Sequence, residues 1–437
     1  MIQLSLFDTT ERGLFEQISS IEQLEESFQA VRKNKGAPGV DGQTIQAFGS
    51  NLEEELSALS QEVQSWQYKP QPVKRVRLPK PGNQGERLIG VPTVRDRVLQ
   101  QSIRQSLERM YEPGFSQSSF GFRPNRGQQQ AIAQAQEIVN EGKSWVVDID
   151  LEKFFDTINQ DRALHLLKGR VEDKRVIRLI GISLRSGILE YGNFEASESG
   201  TTQGSPLSPL LSNIVLDELD KELENRGLSF CRYADDCNIF VGSKKAAERV
   251  MASIRRFIEK RLKLKVNLSK SRIGQSHEVK FLGMTIVDGL VTISRQSMNR
   301  AMEEVKKLTR RGTHLPLERQ IEKINHWYQG WSAYYRMTQL PSQLKAIEAH
   351  IRRRLRSQFI GSFNRKRHLV RQLIKRGMRE GTARKLVYSN KGRWKLSGTI
   401  SIGVAWSPEW FTTQGLKTLS GMQLPHWLPL KVWKKLP

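Results

Sequence analysis

Cysteine is nearly absent. The 437 residues hold two, Cys231 and Cys237, too few for a disulfide framework or a cysteine-based zinc site. Both lie in apolar stretches and are expected to be reduced strand residues. No apolar run approaches membrane-spanning length, and the first ten residues lack the basic and apolar regions of a signal peptide. A cytoplasmic protein with no membrane partner is expected. Internal repeats are missing too, and so is aspartate over the last third of the chain. From Arg295 onward there are 30 Lys and Arg against 7 Glu, whereas the first 294 residues hold 40 against 38. The net charge of +25 is therefore concentrated at one end, which points to a polyanion partner and leaves a near-neutral part free to carry acidic catalytic groups. The length gives room for two or three domains and a sizeable core.

The stretch Arg232-Tyr233-Ala234-Asp235-Asp236-Cys237 lies between two short apolar runs. Apolar runs broken by two adjacent acids predict a β-hairpin whose tight turn presents both carboxylates to a cation. Mg²⁺ takes hard oxygen ligands, commonly one or two carboxylates plus substrate phosphates, so this turn in a basic protein suggests chemistry on phosphates. An acidic surface turn without ligand would have the same local sequence.

Other elements follow in order. Helical spacing covers residues 14–31 and 51–66. Basic and apolar residues alternate over 70–80 and resume at 86–92, predicting a hairpin with Lys80 and Arg87 near its tip. That pattern also suits an edge strand guarded by charge. A basic loop at 121–126 precedes a helix over 128–140. Residues 145–150 predict a buried strand in which Asp148 and Asp150 share a face, with Asp150 nearer the open end. Asp156 is expected to cap a helix over 157–167. A loop rich in Gly, Ser and Pro at 200–209 carries Gln203, both donor and acceptor, and leads into a helix over 210–224. An amphipathic helix is expected over 244–263, a strand over 264–270, and a hairpin about Asp288-Gly289. Beyond Ser294 helices dominate. There Arg352, Arg353, Arg354, Arg356, Arg365, Lys366 and Arg367 fall within sixteen residues with no acid among them, favouring nucleic-acid contact over a merely solvated face. Trp327, Trp331, Tyr334 and Tyr335 recur at helical spacing and are expected in a core.

A carboxylate at a strand end (Asp150), a carboxylate pair on a hairpin (Asp235, Asp236) and a Gln-Gly loop between them suit nucleotidyl transfer. In that reaction a 3′-hydroxyl attacks the α-phosphate while pyrophosphate leaves, and two metal ions stabilise the attacking and leaving oxygens. Asp150 and Asp235 would hold the metals. Lys80 and Arg87 would neutralise the triphosphate, and Lys270 would protonate the leaving group.

In this order the motifs resemble those of the reverse transcriptases encoded by bacterial group II introns. The likeness takes in the Lys33-Asn34-Lys35-Gly36 to Gly42 block, Arg87 to Gln101, Ser119 to Arg126, Asp150 to Asp156, Gln203 to Pro209, Tyr233 to Asp236, Lys270 and Phe281-Leu282-Gly283. The resemblance implies an α+β right-hand polymerase, with an antiparallel palm sheet, over residues 1–294. It further implies a helical thumb (domain X) over 295–385 and a group IIC-like DNA-binding tail over 386–437. It makes Phe155 the gate against a ribose 2′-hydroxyl, Gln203 a nucleotide contact, and Phe281, Leu282 and Gly283 the grip on the primer. Two Mg²⁺, with Mn²⁺ as a substitute, and deoxynucleoside triphosphates would be the cofactor and substrates. Intron RNA and an RNA template with a DNA primer or target would be the partners, the chain being monomer or homodimer. A splicing-only maturase and a domesticated enzyme in a defence or CRISPR setting are the alternatives. Departures from the family pattern are Thr202 for Pro, Ser205 for Gly, Gln160 for His, and a tail without the Cys and His cluster of an endonuclease domain.

Overall fold

The computed structural model describes residues 13–79, 85–196, 200–310 and 315–418. Lys80, Trp427 and Trp433 lie outside them. The chain divides into two compact units, residues 1–134 with 143–274, and residues 135–142 with 275–437, so Ser294 falls inside the second. Among the described residues no helix is long and apolar enough to cross a membrane.

The first unit opens with helices α1 (Leu14–Ser19), α2 (Ile21–Lys33), α3 (Ile45–Ser50) and α4 (Leu52–Gln64). The single helix expected over 14–31 is two. Ser20 leaves helical geometry and its hydroxyl accepts from Gln23 N–H, starting a new helix where the apolar period alone runs on. Strands β1 (Val73–Pro79) and β2 (Glu86–Val91) pair antiparallel as expected. Then come α5 (Val94–Tyr111), α6 (Gln128–Asn140), β3 (Trp145–Ile149), α7 (Phe154–Thr157), α8 (Gln160–Lys168), α9 (Lys174–Leu184), β4 (Ile188–Glu190) and β5 (Asn193–Glu195). Asp156 lies inside α7 and is not a cap. Asn159 caps α8 by accepting from Arg162 N–H, because its extended backbone leaves the side chain facing the helix start. The unit continues with α10 (Ser208–Asn225), β6 (Ser229–Tyr233), β7 (Asp236–Val241), α11 (Lys244–Phe257) and β8 (Arg272–Gln275). Residues 258–262 widen into a π turn, and Lys263, at φ 58°, ends the helix. The strand expected over 264–270 is absent. Residue 266 makes one bridge to Leu151, and the Asn267 side chain then accepts from Ser269 N–H and folds the chain into a turn.

One sheet has the order β6-β7-β3-β8, the other β2-β1-β4-β5. In the first, alternation sends Val147, Ile149, Phe230, Cys237 and Ile239 into a core shared with Leu216, Leu219, Ala247 and Ile254 of α10 and α11. The opposite face carries Asp148 and, in register with it, Asn238. A second core gathers α1 to α5 and α9 around Phe28, Phe48, Leu59, Leu99 and Ile180.

The second unit contains a hairpin of β9 (Met284–Val287) and β10 (Leu290–Ile293), closed by Asp288 and Gly289 at φ 50° and 76°. Helices α12 (Arg295–Leu308), α13 (Leu317–Tyr335), α14 (Pro341–Ser362), α15 (Lys366–Lys375), α16 (Glu380–Val387), α17 (Arg393–Ser397), α18 (Ile400–Ala405) and α19 (Pro408–Thr413) follow. Of the α13 aromatics, Trp327, Trp331, Tyr334 and Tyr335 are half-buried and Tyr328 is fully buried; Trp327 stacks on Trp331 at 5.9 Å and Trp331 on Tyr335 at 4.6 Å. Phe48 is fully buried and stacked on Phe28 at 5.4 Å, so Phe48→Ala is expected to lower stability by about 3–5 kcal/mol. A denaturant titration should show the midpoint falling with the slope kept.

Candidate active site

Tyr233 and Asp236 pair across the end of the β6–β7 hairpin, leaving Ala234 and Asp235 as the two turn residues. Ala234 adopts φ 57°, and the geometry is enforced from below. Arg232, fully buried, donates to both carboxylate oxygens of the equally buried Asp220 on α10 (2.7 and 2.5 Å), to Asn213 Oδ1 (3.1 Å) and to the Ala234 carbonyl (2.9 Å). Burial works against a charged guanidinium here, yet the Asp220 carboxylate outweighs it and holds the Arg232 proton more firmly than usual. A further strand-like segment lies along β6, with Arg232 N–H donating to Ser118 O and Phe120 N–H to Arg232 O. Gly121 then touches the turn so closely that a Cβ there would stand 2.2 Å from Ala234 N.

Asp150 follows β3, and its backbone is stitched to residues 265–271. Asn267 N–H donates to Asp150 O (2.8 Å), Asp150 N–H to Ser271 Oγ (3.0 Å), and Glu152 N–H to Lys265 O (2.8 Å). This brings Lys270 Nζ to 3.5 Å from Asp150 Oδ1, while Asp148 faces Arg272 at 3.5 Å. Burial raises the Asp235 proton affinity above the usual carboxylate range. The Asp150 charge adds to that, and Arg87 and Lys270 oppose it. Asp150, Asp235, Arg87 and Lys270 thus share one electrostatic neighbourhood. Asp236 is half-buried at the start of β7.

Gln203 and Phe155 are placed by backbone contacts. Gly90 N–H of β2 donates to Gln203 O (2.8 Å), and a Cβ on Gly204 would lie 2.4 Å from Gly90 O, so this loop abuts the β1–β2 hairpin. Thr201 N–H donates to Phe155 O (2.7 Å), and Gln160 Nε2 donates to Gly200 O (3.0 Å). The Phe155 ring meets Phe154 and Phe122 edge-on. In the second unit Phe281 and Met284 exchange backbone hydrogen bonds around Leu282 (φ 50°) and Gly283 (φ 82°). Tyr334 donates to Leu282 O, and Ser297 Oγ to Gly283 O (2.9 Å).

Sequence reasoning missed Arg232, Asp220 and Asn213. The available signal was a lone arginine in an otherwise apolar strand, which demands a buried partner. The arginine cluster also departs from expectation. Arg352 pairs with Glu348, and Arg353 stacks on Trp394 at 4.0 Å. Arg354 donates to Thr309 and Lys306 carbonyls, and Arg356 to those of Trp406 and Gly403. These four are half-buried and engaged within their own unit, only Arg352 by an acid. Arg365, Lys366 and Arg367 are exposed.

The donor set suits a hard divalent cation. Burial and the Asp150 charge raise the proton affinity of the Asp235 carboxylate, and the charge of a cation would relieve that. Among the described residues no group of three or more His, Cys, Asp or Glu is arranged to hold a metal, so water and phosphate oxygens would complete the shell.

Two outcomes follow. A carboxyl whose folded-state proton affinity is raised destabilises the fold once pH exceeds its unfolded value, and this penalty vanishes below that value. Asp235→Asn is therefore expected to melt above the parent at pH 7 without divalent cation, with the gap closing on acidification through the carboxylate range. Calorimetry over pH checks it. Arg356→Ala should lower stability by about 1–3 kcal/mol by orphaning buried carbonyls, whereas Arg365→Ala should stay within about 0.5 kcal/mol in thermal melts.

Residues 78–286 match the family model of reverse transcriptase (RNA-dependent DNA polymerase), and residues 298–377 match that of the group II intron maturase-specific domain. Protein YkfC of Escherichia coli (strain K12) is 32% identical over 296 residues, covering 59% of this chain and 77% of YkfC. Group II intron-encoded protein LtrA of Lactococcus lactis subsp. cremoris is 28% identical over 368 residues, 68% of this chain, which spans 60% of LtrA. Among solved structures, a partial Cas6-RT-Cas1–Cas2 complex covers 57% of this chain and 43% of its own, at 24% identity and a TM-score of 0.38. With the α+β right-hand polymerase fold, a carboxylate site on its palm sheet and both domain matches in sequence order, this chain belongs to the group II intron reverse transcriptase/maturase family.

Proposed function

We propose that this chain is an RNA-directed DNA polymerase that copies group II intron RNA into cDNA from a primer at its DNA target. It also binds the intron RNA to assist splicing. The observation that carries the reading is the convergence of Asp150 and Asp235 with Arg87 and Lys270 at one end of the palm sheet. Asp150, Asp235 and Asp236 would hold two Mg²⁺, or Mn²⁺ in their place. Bound divalent metal supplies charge stabilisation for the attacking and leaving oxygens of an in-line displacement.

The protein's own groups do the rest. Arg87 binds the triphosphate of the incoming deoxynucleotide, and Lys80, outside the described residues, would join it there. Lys270, 3.5 Å from Asp150, would give its proton to the departing pyrophosphate. Phe155 closes the space a ribose 2′-hydroxyl would fill, its ring braced by Phe154 and Phe122. Gln203 contacts the nucleotide from a loop tied to β2. The strained Phe281-Leu282-Gly283 turn supports the primer end. Arg365, Lys366 and Arg367, exposed on the second unit, bind RNA phosphates.

Extension of a DNA primer on an RNA template, with Mg²⁺ and deoxynucleotides, is expected of the chain. Asp150→Ala and the double change Asp235→Ala, Asp236→Ala should each remove several kcal/mol of transition-state stabilisation, on the order of a thousandfold in rate. RNA binding should persist. Synthesis surviving in the double variant would overturn the metal assignment, and tight RNA binding without synthesis by any form would favour a splicing-only maturase.

A further inference from the structure

The β2-β1-β4-β5 sheet of the first unit separates its charges by face. Register pairs Leu78 with Arg87 and Val76 with Ile89 across β1 and β2, Lys74 with Leu189 across β1 and β4, and Leu189 with Phe194 across β4 and β5. Cross-strand partners share a face, so Lys74, Leu78, Arg87, Ile89 and Phe194 lie on one side. All three acids of these strands, Glu86, Glu190 and Glu195, fall on the other. There they are neutralised: Arg75 meets Glu190 and Glu195 at 3.1 and 3.0 Å, and Arg77 meets Glu190 and Glu86 at 2.7 and 3.2 Å. The first face is left with cations and no acid.

That face is also apolar and open. Leu78 is 45% exposed and Phe194 60%, and at the end of the same hairpin Tyr191, in the turn between β4 and β5, is 86% exposed. Gly187 at φ 79° leaves room for the Phe194 ring, which a Cβ there would meet at 2.3 Å. One side of the ring is thus supported by the sheet and the other is open. Exposed aromatics on a hairpin, with cations on the sheet beside them, form the kind of surface on which single-stranded nucleic acid stacks its bases while its phosphates are neutralised. At one edge the face carries Arg87, whose charge reaches Asp235, so it extends outward from the active site.

We propose that this face is a stacking platform for the unpaired RNA template before it enters the active site, with Tyr191 and Phe194 receiving bases and Lys74 a phosphate. The inference rests on the polymerase reading for the identity of the strand. The platform would hold template bases apart, opposing refolding of the RNA ahead of synthesis.

The test measures binding without nucleotides, so it does not depend on activity. The full chain is titrated with an RNA–DNA duplex that is blunt, and with the same duplex carrying a short single-stranded RNA 5′ extension. The extension should tighten binding, and Tyr191→Ser with Phe194→Ser should remove about tenfold of that gain per ring. Phe194→Leu, which keeps an apolar contact on Gly187, should lose nearly as much as Phe194→Ser. Lys74→Gln should reduce the salt slope of the gain by about 0.7. An extension that adds no affinity would overturn the proposal, as would a gain that survives loss of both rings. Sedimentation showing a dimer that the ring variants dissociate would overturn it too, making the face a contact between copies. If the chain binds as expected and yet extends no primer, the polymerase reading fails while the platform stands.

Discussion

The ion pair between Arg232 and Asp220 is the constraint on which the active site depends. Two opposite charges at zero exposure are kept because Arg232 makes four hydrogen bonds, two of them to the two Asp220 carboxylate oxygens, and removal of either partner would leave a bare charge in the core at a cost of about 3–5 kcal/mol. Arginine suits the position better than lysine, since its planar fork reaches Asp220, Asn213 and the Ala234 carbonyl at once. The left-handed turn that presents Asp235 is thereby tied to α10 and, through Asn213 donating to Gly121 O, to the loop beside it. The Asp235 carboxylate, which would serve as a metal ligand, must hold position while its own burial resists its charge. This lattice of hydrogen bonds supplies the rigidity.

Much of this was legible in the sequence because local rules and the global fold agree. The two-residue acidic turn, the Asp288-Gly289 hairpin and the β1–β2 hairpin each declare themselves through alternation and turn chemistry. Asp150 was distinguishable from Asp148 because strand alternation puts both on one face and only Asp150 stands past the strand's end. Its partner Lys270 was found, but the strand assigned around it was wrong. Valine and leucine at 264, 266 and 268 mimic alternation, and the turn that defeats it is set by the Asn267 side chain. The Asp156 cap failed for a related reason. Two acceptors three residues apart both suit a helix start, and backbone geometry chooses Asn159.

Charge proved the least readable property. Arg353, Arg354 and Arg356 look like a ligand site in one dimension, since the carbonyls and rings they engage lie far along the sequence, while Arg352 pairs with Glu348 one helical turn back. Helix ends and loop turns leave C=O groups unpaired, and arginine supplies donors to them without any acid being present. The strong positive balance of the last third is thus partly a structural resource, and only its exposed share is available to a polyanion.

The division of α6 between the two units has a consequence for how the chain is made. Residues 135–142 belong with a partner surface that does not yet exist when they leave the ribosome. Gln136 donates to Gly289 O and to Gln339 Oε1, partners 153 and 203 residues further along. At synthesis rates of about 5–20 residues per second, those contacts trail α6 by roughly ten to forty seconds. During that interval the early unit can condense around its own cores, while the end of α6 waits with an unpaired amide. The order of translation thus makes the second unit the last to close, and the nascent chain carries a near-neutral, near-complete palm before its basic counterpart has been made.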